Sequence, residues 1–300
     1  MTVQDTICVD WGTTSFRAYL VRGGSVVAET AAARGILTIE PGLHATVLRS
    51  LLADLPCDTA GLPIMMSGMI GSRQGWREAP YVAAPANASD IAASVVAWHE
   101  EGLGSISLIP GVMQEPDGGM PDVMRGEETQ VLGALKLMGL TGGTFILPGT
   151  HSKCVDVREG RLLSFRSFMT GEMFAALKDH TILARLMADG ISSGEGFRAG
   201  VLAAKRVPSA GDLLNAVFGT RTLGLFGRLP GHELADYLSG LLIGAELCTA
   251  LAAGGQGIVI GTGALTARYV QAAAMLDRAL IPASEHCVVA GQLAVLEAAR

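Results

Sequence analysis

The chain has 300 residues, 49% of them hydrophobic and 17% charged, and a formal net charge of −6. An acidic balance without a basic block excludes a general nucleic-acid binder, and a mean hydropathy of +0.40 excludes disorder. Thirty-nine glycines against 12 prolines point to many tight turns and close backbone approaches, on a length that predicts about two domains.

In chain order, the segment after Met1 meets Asp5 and an apolar run by Ile7, leaving no room for a secretory h-region. Cys8, Cys57, Cys154, Cys248 and Cys287 form no C-x-x-C pair, so neither a zinc site nor a disulfide framework is indicated. A cytoplasmic location is expected. Ile7-Cys8-Val9 reads as a strand entering a turn in DWGTTSFR (10–17). An extended segment to Arg22, a Gly23-Gly24 turn and an extended run over 25–30 follow. Strands are predicted over 62–66 and 105–109. Between them, SGMIGSRQGWREAPY (67–81) is too long and too rich in Arg, Trp and Gln for a plain connector. A helix starts near Gly126 in RGEETQVLGALKLMG, with Glu127 and Glu128 in its first turn, where carboxylates suit the helix dipole.

The opening unit then recurs. Phe145-Ile146-Leu147 leads into LPGTHSK (147–153), an alternating run, a Glu159-Gly160 turn and a strand over 161–168. Gly12 matches Gly149, Thr13 matches Thr150, Ser15 matches Ser152 and Gly23 matches Gly160, all at one offset. Two halves of common design are expected, residues 1–141 and 142–300. Helices are predicted over 171–186 and 233–253. A buried strand over 257–260 ends at Gly261-Thr262-Gly263-Ala264-Leu265. Residues 247–267 lack Asp, Glu, Lys and Arg, but Gly254-Gly255-Gln256-Gly257 breaks them, so a membrane span is not expected.

Glycines in such turns let an anion approach backbone N–H groups, and neighbouring hydroxyls add donors. Gly12, Thr13 and Thr14 are therefore candidate phosphate ligands, with Gly149, Thr150 and Ser152 as their counterparts. Asp10, ending the first strand, is placed for the Mg²⁺ that accompanies a polyphosphate. Gly261 and Gly263, between strand and helix, admit a phosphate or a flat ligand. Plainer jobs exist for each: turn capping for Asp10, hairpin turns for the glycines, helix capping for Glu127 and Glu128. No G-x-x-x-x-G-K-[ST] loop is present, and GTGAL is not a complete dinucleotide fingerprint.

Taken together, these motifs resemble the actin/Hsp70/sugar-kinase superfamily. DWGTTSFR resembles its first phosphate motif, GTHSK the second, GTGAL the adenosine motif and RGEETQVLGAL the first connecting helix. More closely, SGMIGSRQGWREAPY, RGEETQ, LPGTHSK and FMTGEMFAALKDHTILARL (168–186) resemble the 2-dehydro-3-deoxygalactonokinase family. The resemblance implies an α/β fold of two duplicated actin-like ATPase (ribonuclease H-like) domains with a nucleotide cleft between them. It also implies ATP and Mg²⁺ as cofactors, and phosphorylation of a six-carbon keto-deoxy sugar acid on its terminal hydroxyl. Asp10 would serve the metal, Glu127 the proton transfer with Glu128 as its alternative, and Lys153 would add charge to the phosphates. Gly261 and Gly263 would flank the adenosine. Arg73, Gln74, Trp76 and Arg125 would surround the sugar acid, since an acidic protein needs local cations to bind a carboxylate. Arg77 is either at the substrate or in a surface pair with Glu78. Leu147 stands where the second phosphate loop often has an acid, so no second metal ligand is implied there. Expected partners are the sugar acid and ATP, with neither nucleic acid nor membrane; a homodimer is left open. A neutral-sugar kinase, a non-catalytic actin-like ATPase and a sugar sensor are the alternatives, and the Arg/Gln/Trp loop speaks for the acid.

Overall fold

Near-continuous apolar runs form the central strands of the first sheet. β1 (Thr6–Trp11) is buried at every position but Asp10. A Gly23-Gly24 turn with positive φ at both residues joins β2 (Phe16–Arg22) to β3 (Ser25–Ala32), whose alternating exposure marks an outer strand. α1 (His44–Leu52) follows, then the fully buried β4 (Ile64–Ser67), β5 (Tyr81–Ala83) and the short α2 (Ala88–Ala92). After these come β6 (Val96–Glu100), β7 (Gly104–Leu108), β8 (Gly111–Gln114), β9 (Asp122–Met124) and α3 (Glu127–Met138). The strand order is β3-β2-β1-β4-β7-β6, with a separate small sheet β5-β8-β9. β1 is antiparallel to β2 and parallel to β4, and its register sets Asp10 opposite both Arg17 and Ser67.

β10 (Gly143–Leu147), β11 (Ser152–Arg158) and β12 (Arg161–Phe168) lead into α4 (Thr170–His180), α5 (Glu195–Ala204), α6 (Ala210–Leu225) and α7 (Gly231–Ala250). β13 (Gln256–Val259), α8 (Gly263–Met275), β14 (Ala279–Pro282) and α9 (Cys287–Ala298) complete the chain. The second sheet has the order β12-β11-β10-β13-β14, with β13 parallel to both β10 and β14. Its first four positions repeat the β3-β2-β1-β4 order of the first sheet.

The computed structural model describes residues 5–56, 59, 61–251, 255–261, 263–284 and 286–299. Cys57, Gly254 and Thr262 of the motifs above lie outside them, as do residues 252–253 of the predicted 233–253 helix. The chain divides into two units. One comprises Met1–Gly142, Asp156–Phe165 and Ser284–Arg300, the other Gly143–Val155 and Arg166–Ala283.

In the first unit, α3 and α9 cross at glycines. A Cβ on Gly133 would lie 1.7 Å from the Cys287 carbonyl oxygen, and one on Gly291 would lie 1.8 Å from that of Thr129. In the second unit, α5 and α7 meet the same way at Gly200 and Gly240, where a Cβ would reach 2.0 Å from Tyr237 O and 2.2 Å from Phe197 O. These contacts account for part of the glycine count. The predicted 171–186 helix is broken in two. Thr181 is extended (φ −122°, ψ 177°); its hydroxyl donates to Leu177 O and accepts from Leu183 N, and a 3₁₀ turn over Ile182–Leu186 follows. Among the described residues no helix is long and apolar enough to cross a membrane.

Candidate active site

In the first unit, three backbone segments converge where β1 ends. A Cβ on Gly68, after β4, would lie 2.8 Å from Trp11 O and 3.2 Å from Asp10 Oδ1; one on Gly126, before α3, would lie 3.2 Å from Gly68 Cα. Gly68 and Gly126 have φ of 97° and 109°, which side-chain-bearing residues rarely adopt, so both glycines are required by space and by backbone conformation. Beneath them, the Gln292 amide of α9 donates to Val9 O and Ser67 Oγ, both at 2.8 Å.

Asp10 is half-buried here. Burial raises its pKa, the Arg17 guanidinium across the strand pair counteracts this and the Glu127 charge adds to it, leaving the carboxyl pushed up to about 6. Among the described residues no group of three or more His, Cys, Asp and Glu could hold a metal alone. One or two carboxylates with phosphate oxygens and water suffice for Mg²⁺, and a cation would relieve the strain on Asp10. Asp10 fits that donor set as the single protein carboxylate, with the Glu127 charge nearby.

The two glutamates of α3 are not equivalent. Glu127 remains partly exposed, its Oε2 accepting from Arg125 N at 2.9 Å. Glu128 is fully buried, with both oxygens accepting from Gly126 N (2.9 and 2.8 Å) and Oε1 accepting from Thr129 Oγ1 at 2.9 Å. Burial first, then the Glu127 charge, pushes the Glu128 carboxyl up to about 8.

The DWGTTSFR turn leaves Thr13 and Thr14 exposed, while Gly12 N donates to Ser15 O at 2.9 Å. Gly35 braces the turn. A Cβ there would sit 2.2 Å from Thr13 C and O and Thr14 N, and Ile36 N and Leu37 N donate to Gly12 O and Thr13 O.

In the second unit, Gly149 and Thr150 occupy the matching turn, braced by the start of α4. Glu172 N donates to Thr150 O at 3.0 Å, a Cβ on Gly171 would lie 2.4 Å from Gly149 O, and His151 Nε2 lies 2.6 Å from Glu172 Oε2. The Ser152 hydroxyl points inward and donates to Glu246 Oε1 at 2.6 Å. Lys153 is buried and donates to Ser167 Oγ. Glu246 also accepts from Tyr269 Oη at 2.7 Å and from Thr170 Oγ1, gathering β11, α4 and α8 on one buried carboxylate of α7. Gly261 (φ 158°) and Gly263 (φ 70°) bound the β13–α8 junction.

The expected substrate residues have different surroundings. Arg73 is 87% exposed in its side chain and pairs with Glu78 at 2.9 Å; Gln74 is exposed. Glu78 is thus Arg73's partner, and Arg77 instead lies 4.5 Å over the Trp98 ring. Trp76 stacks on His44 (centroids 6.2 Å) and meets Trp98 edge-on at 5.2 Å. Arg125 is buried, its Nη2 donating to Ala79 O at 2.9 Å and its guanidinium lying 4.2 Å over the Tyr81 ring. Sequence reasoning passed over Gly35, Gly68, Ser72, Glu246 and Gln292. A Gly immediately after a buried strand signals Gly68, but the others depend on contacts distant in sequence.

A family model described as 2-keto-3-deoxy-galactonokinase matches residues 10–295. A protein of Rhizobium meliloti (strain 1021), provisionally named 2-dehydro-3-deoxygalactonokinase, is 39% identical over 267 residues, 87% of this chain and 86% of its own. The Escherichia coli (strain K12) 2-dehydro-3-deoxygalactonokinase is 33% identical over 269 residues, 89% and 88% of the two chains. A crystal structure from Sinorhizobium meliloti, provisionally given the same name, superposes with a TM-score of 0.88 at 35% identity, covering 98% of this chain and 96% of that one. The fold is that of actin-like sugar kinases, and the chain belongs to the 2-dehydro-3-deoxygalactonokinase family.

Proposed function

We propose that the chain transfers the terminal phosphoryl group of ATP to the 6-hydroxyl of 2-dehydro-3-deoxy-D-galactonate, giving the 6-phosphate and ADP in galactonate catabolism. The family is a kinase family. Phosphoryl transfer needs alignment, charge neutralisation and a group to take the hydroxyl proton.

Thr13 and Thr14, and Gly149 and Thr150 of the matching turn, offer backbone N–H groups and exposed hydroxyls to phosphates, while Gly12, its N–H held by Ser15 O, and Ser152, its hydroxyl held by Glu246, shape the two turns. Lys153 adds a positive charge at the base of the second turn, and Gly261 and Gly263 leave room for the adenosine. Asp10 would hold Mg²⁺, which would supply charge neutralisation at the phosphate oxygens. Glu127 accepts the proton of the attacking 6-hydroxyl as its oxygen bonds to the γ-phosphorus and the bond to the β-phosphate oxygen breaks. Arg125 faces the sugar acid, with Arg73, Gln74 and the Trp76 loop outside it. Residues 1–141 and 142–300 are read as the two copies of the duplication.

The observation that carries this reading is that the partly exposed Glu127 acts electrostatically on Asp10, whereas Glu128 is fully buried with both oxygens accepting from Gly126 N. Glu127→Gln is expected to lower kcat by on the order of 10²–10⁴-fold with ATP affinity little changed. Asp10→Asn should remove most activity from a folded protein. A large loss in Glu128→Gln with none in Glu127→Gln would reverse the assignment.

A further inference from the structure

Arg125 stands out among the described residues as a buried charge with most of its donors idle. It follows β9 and precedes Gly126, and only 7% of it is exposed. Of its five N–H bonds, the one to Ala79 O is made; Nε and Nη1 are buried without a hydrogen-bond partner. Tyr81 offers its ring face, and no carboxylate lies within ion-pairing distance among the described residues. Gly71 makes the space, since a Cβ there would sit 3.0 Å from Nη1. The next residue, Ser72, also has a buried hydroxyl with no partner. A guanidinium cannot escape by losing its proton, and an uncompensated buried charge is costly, so this arrangement asks for an anion.

Resting on the kinase reading above, we propose that Arg125, with the Ser72 hydroxyl beside Gly71 and Tyr81 beneath the guanidinium, receives the C1 carboxylate of the acceptor. These groups, rather than the exposed Arg73, then set the preference for an acid over a neutral sugar. Arg73 already has Glu78 and stands in water, where a carboxylate gains little from one more cation. The Arg125 backbone N–H is held by Glu127, so the acid receptor and the proposed base share one short segment. A substrate anchored at its carboxylate is thereby placed with respect to the group that takes its hydroxyl proton.

The test compares wild type, Arg125→Met, Ser72→Ala and Arg73→Ala on the sugar acid and on its analogue with C1 reduced to the alcohol. ATP KM and Tm are measured in the same preparations. Arg125→Met should lose about ten- to a hundredfold in kcat/KM on the acid, little on the alcohol, and leave ATP KM unchanged. Its ligand-free Tm should hold or rise, because an unpaired buried charge has gone. Ser72→Ala should show the same selectivity at smaller size, and Arg73→Ala much less. Equal losses on acid and alcohol, or a lowered Tm with acid preference intact, would make Arg125 structural and overturn the proposal. A loss confined to ATP KM would overturn it in favour of a phosphate contact. Calorimetry with pyruvate, the 2-oxo-carboxylate fragment alone, separates the two readings. Binding by wild type but not Arg125→Met supports the receptor even if the six-carbon acid proves not to be phosphorylated, and equal binding by both overturns it.

Discussion

Glu127 and Glu128 are neighbours in sequence, yet the start of α3 brings the charge of Glu127 near Asp10 and folds the Glu128 carboxylate back onto Gly126. This difference has a consequence for stability. The Glu128 carboxyl, ordinarily near 4.5, stands at about 8 in the folded chain, so between those values the folded state holds a proton that the unfolded state has released. Stability contributed by this group is therefore present at low pH and lost as pH rises towards 8, at up to ~1.4 kcal/mol per pH unit. Urea unfolding from pH 5 to 8 should show a smaller decline in Glu128→Gln than in wild type. Parallel curves would contradict the assignment. The sequence made both glutamates visible as first-turn acids but could not separate them, because burial of one depends on Gly68 and Gly126 meeting. For the same reason Arg73 and Arg125 look alike in sequence, although one stands in water and the other beneath a protein surface.

At the scale of elements, glycine pairs and one carboxylate set the spacing. Gly291→Ala must push α9 away from Thr129 O and should destabilise by ~1–3 kcal/mol or more. Gly211→Ala, in α6 with its nearest neighbour 3.8 Å from the added Cβ, should instead be neutral or stabilise by ~0.4–1 kcal/mol. Thermal unfolding of the two variants checks both signs. Glu246→Ala strands the hydroxyls of Ser152, Thr170 and Tyr269, an expected cost of ~3 kcal/mol or more, whereas Glu246→Gln keeps an acceptor and should cost less. Equal losses would argue that volume, not hydrogen bonding, matters there. The repeated strand–turn–strand hairpins were legible because glycine turns and apolar runs are local signals. β6, β8, β9 and β14 are only three to five residues long, too short for a clear period, and α1, α5, α6 and α9 lacked motifs that single them out. The helix over 171–186 was overextended because Thr181 bonds its own backbone, a competition that apolar spacing does not reveal.

At the scale of the molecule, the chain's last helix belongs to the unit that its first strand begins. α9 buries Val288, Val289 and Leu293 against Cys8, Tyr19 and Val21, and Gln292 ties the ends of β1 and β4. Removing residues 284–300 should therefore loosen the first unit, seen as lost cooperative unfolding and no turnover; a cooperative, active truncated chain would contradict this packing. If the chain phosphorylates a sugar acid selected by its carboxylate, the acid and its neutral analogues must differ as acceptors. ATP consumption by the purified protein with Mg²⁺ tests this most directly, on 2-dehydro-3-deoxygalactonate, its C1 alcohol and neutral hexoses in parallel. Stoichiometric ADP and 6-phosphate are expected from the acid, with at least tenfold lower kcat/KM on the neutral compounds. ATP turnover that ignores the acceptor, or a preference for a neutral sugar, would contradict this selection.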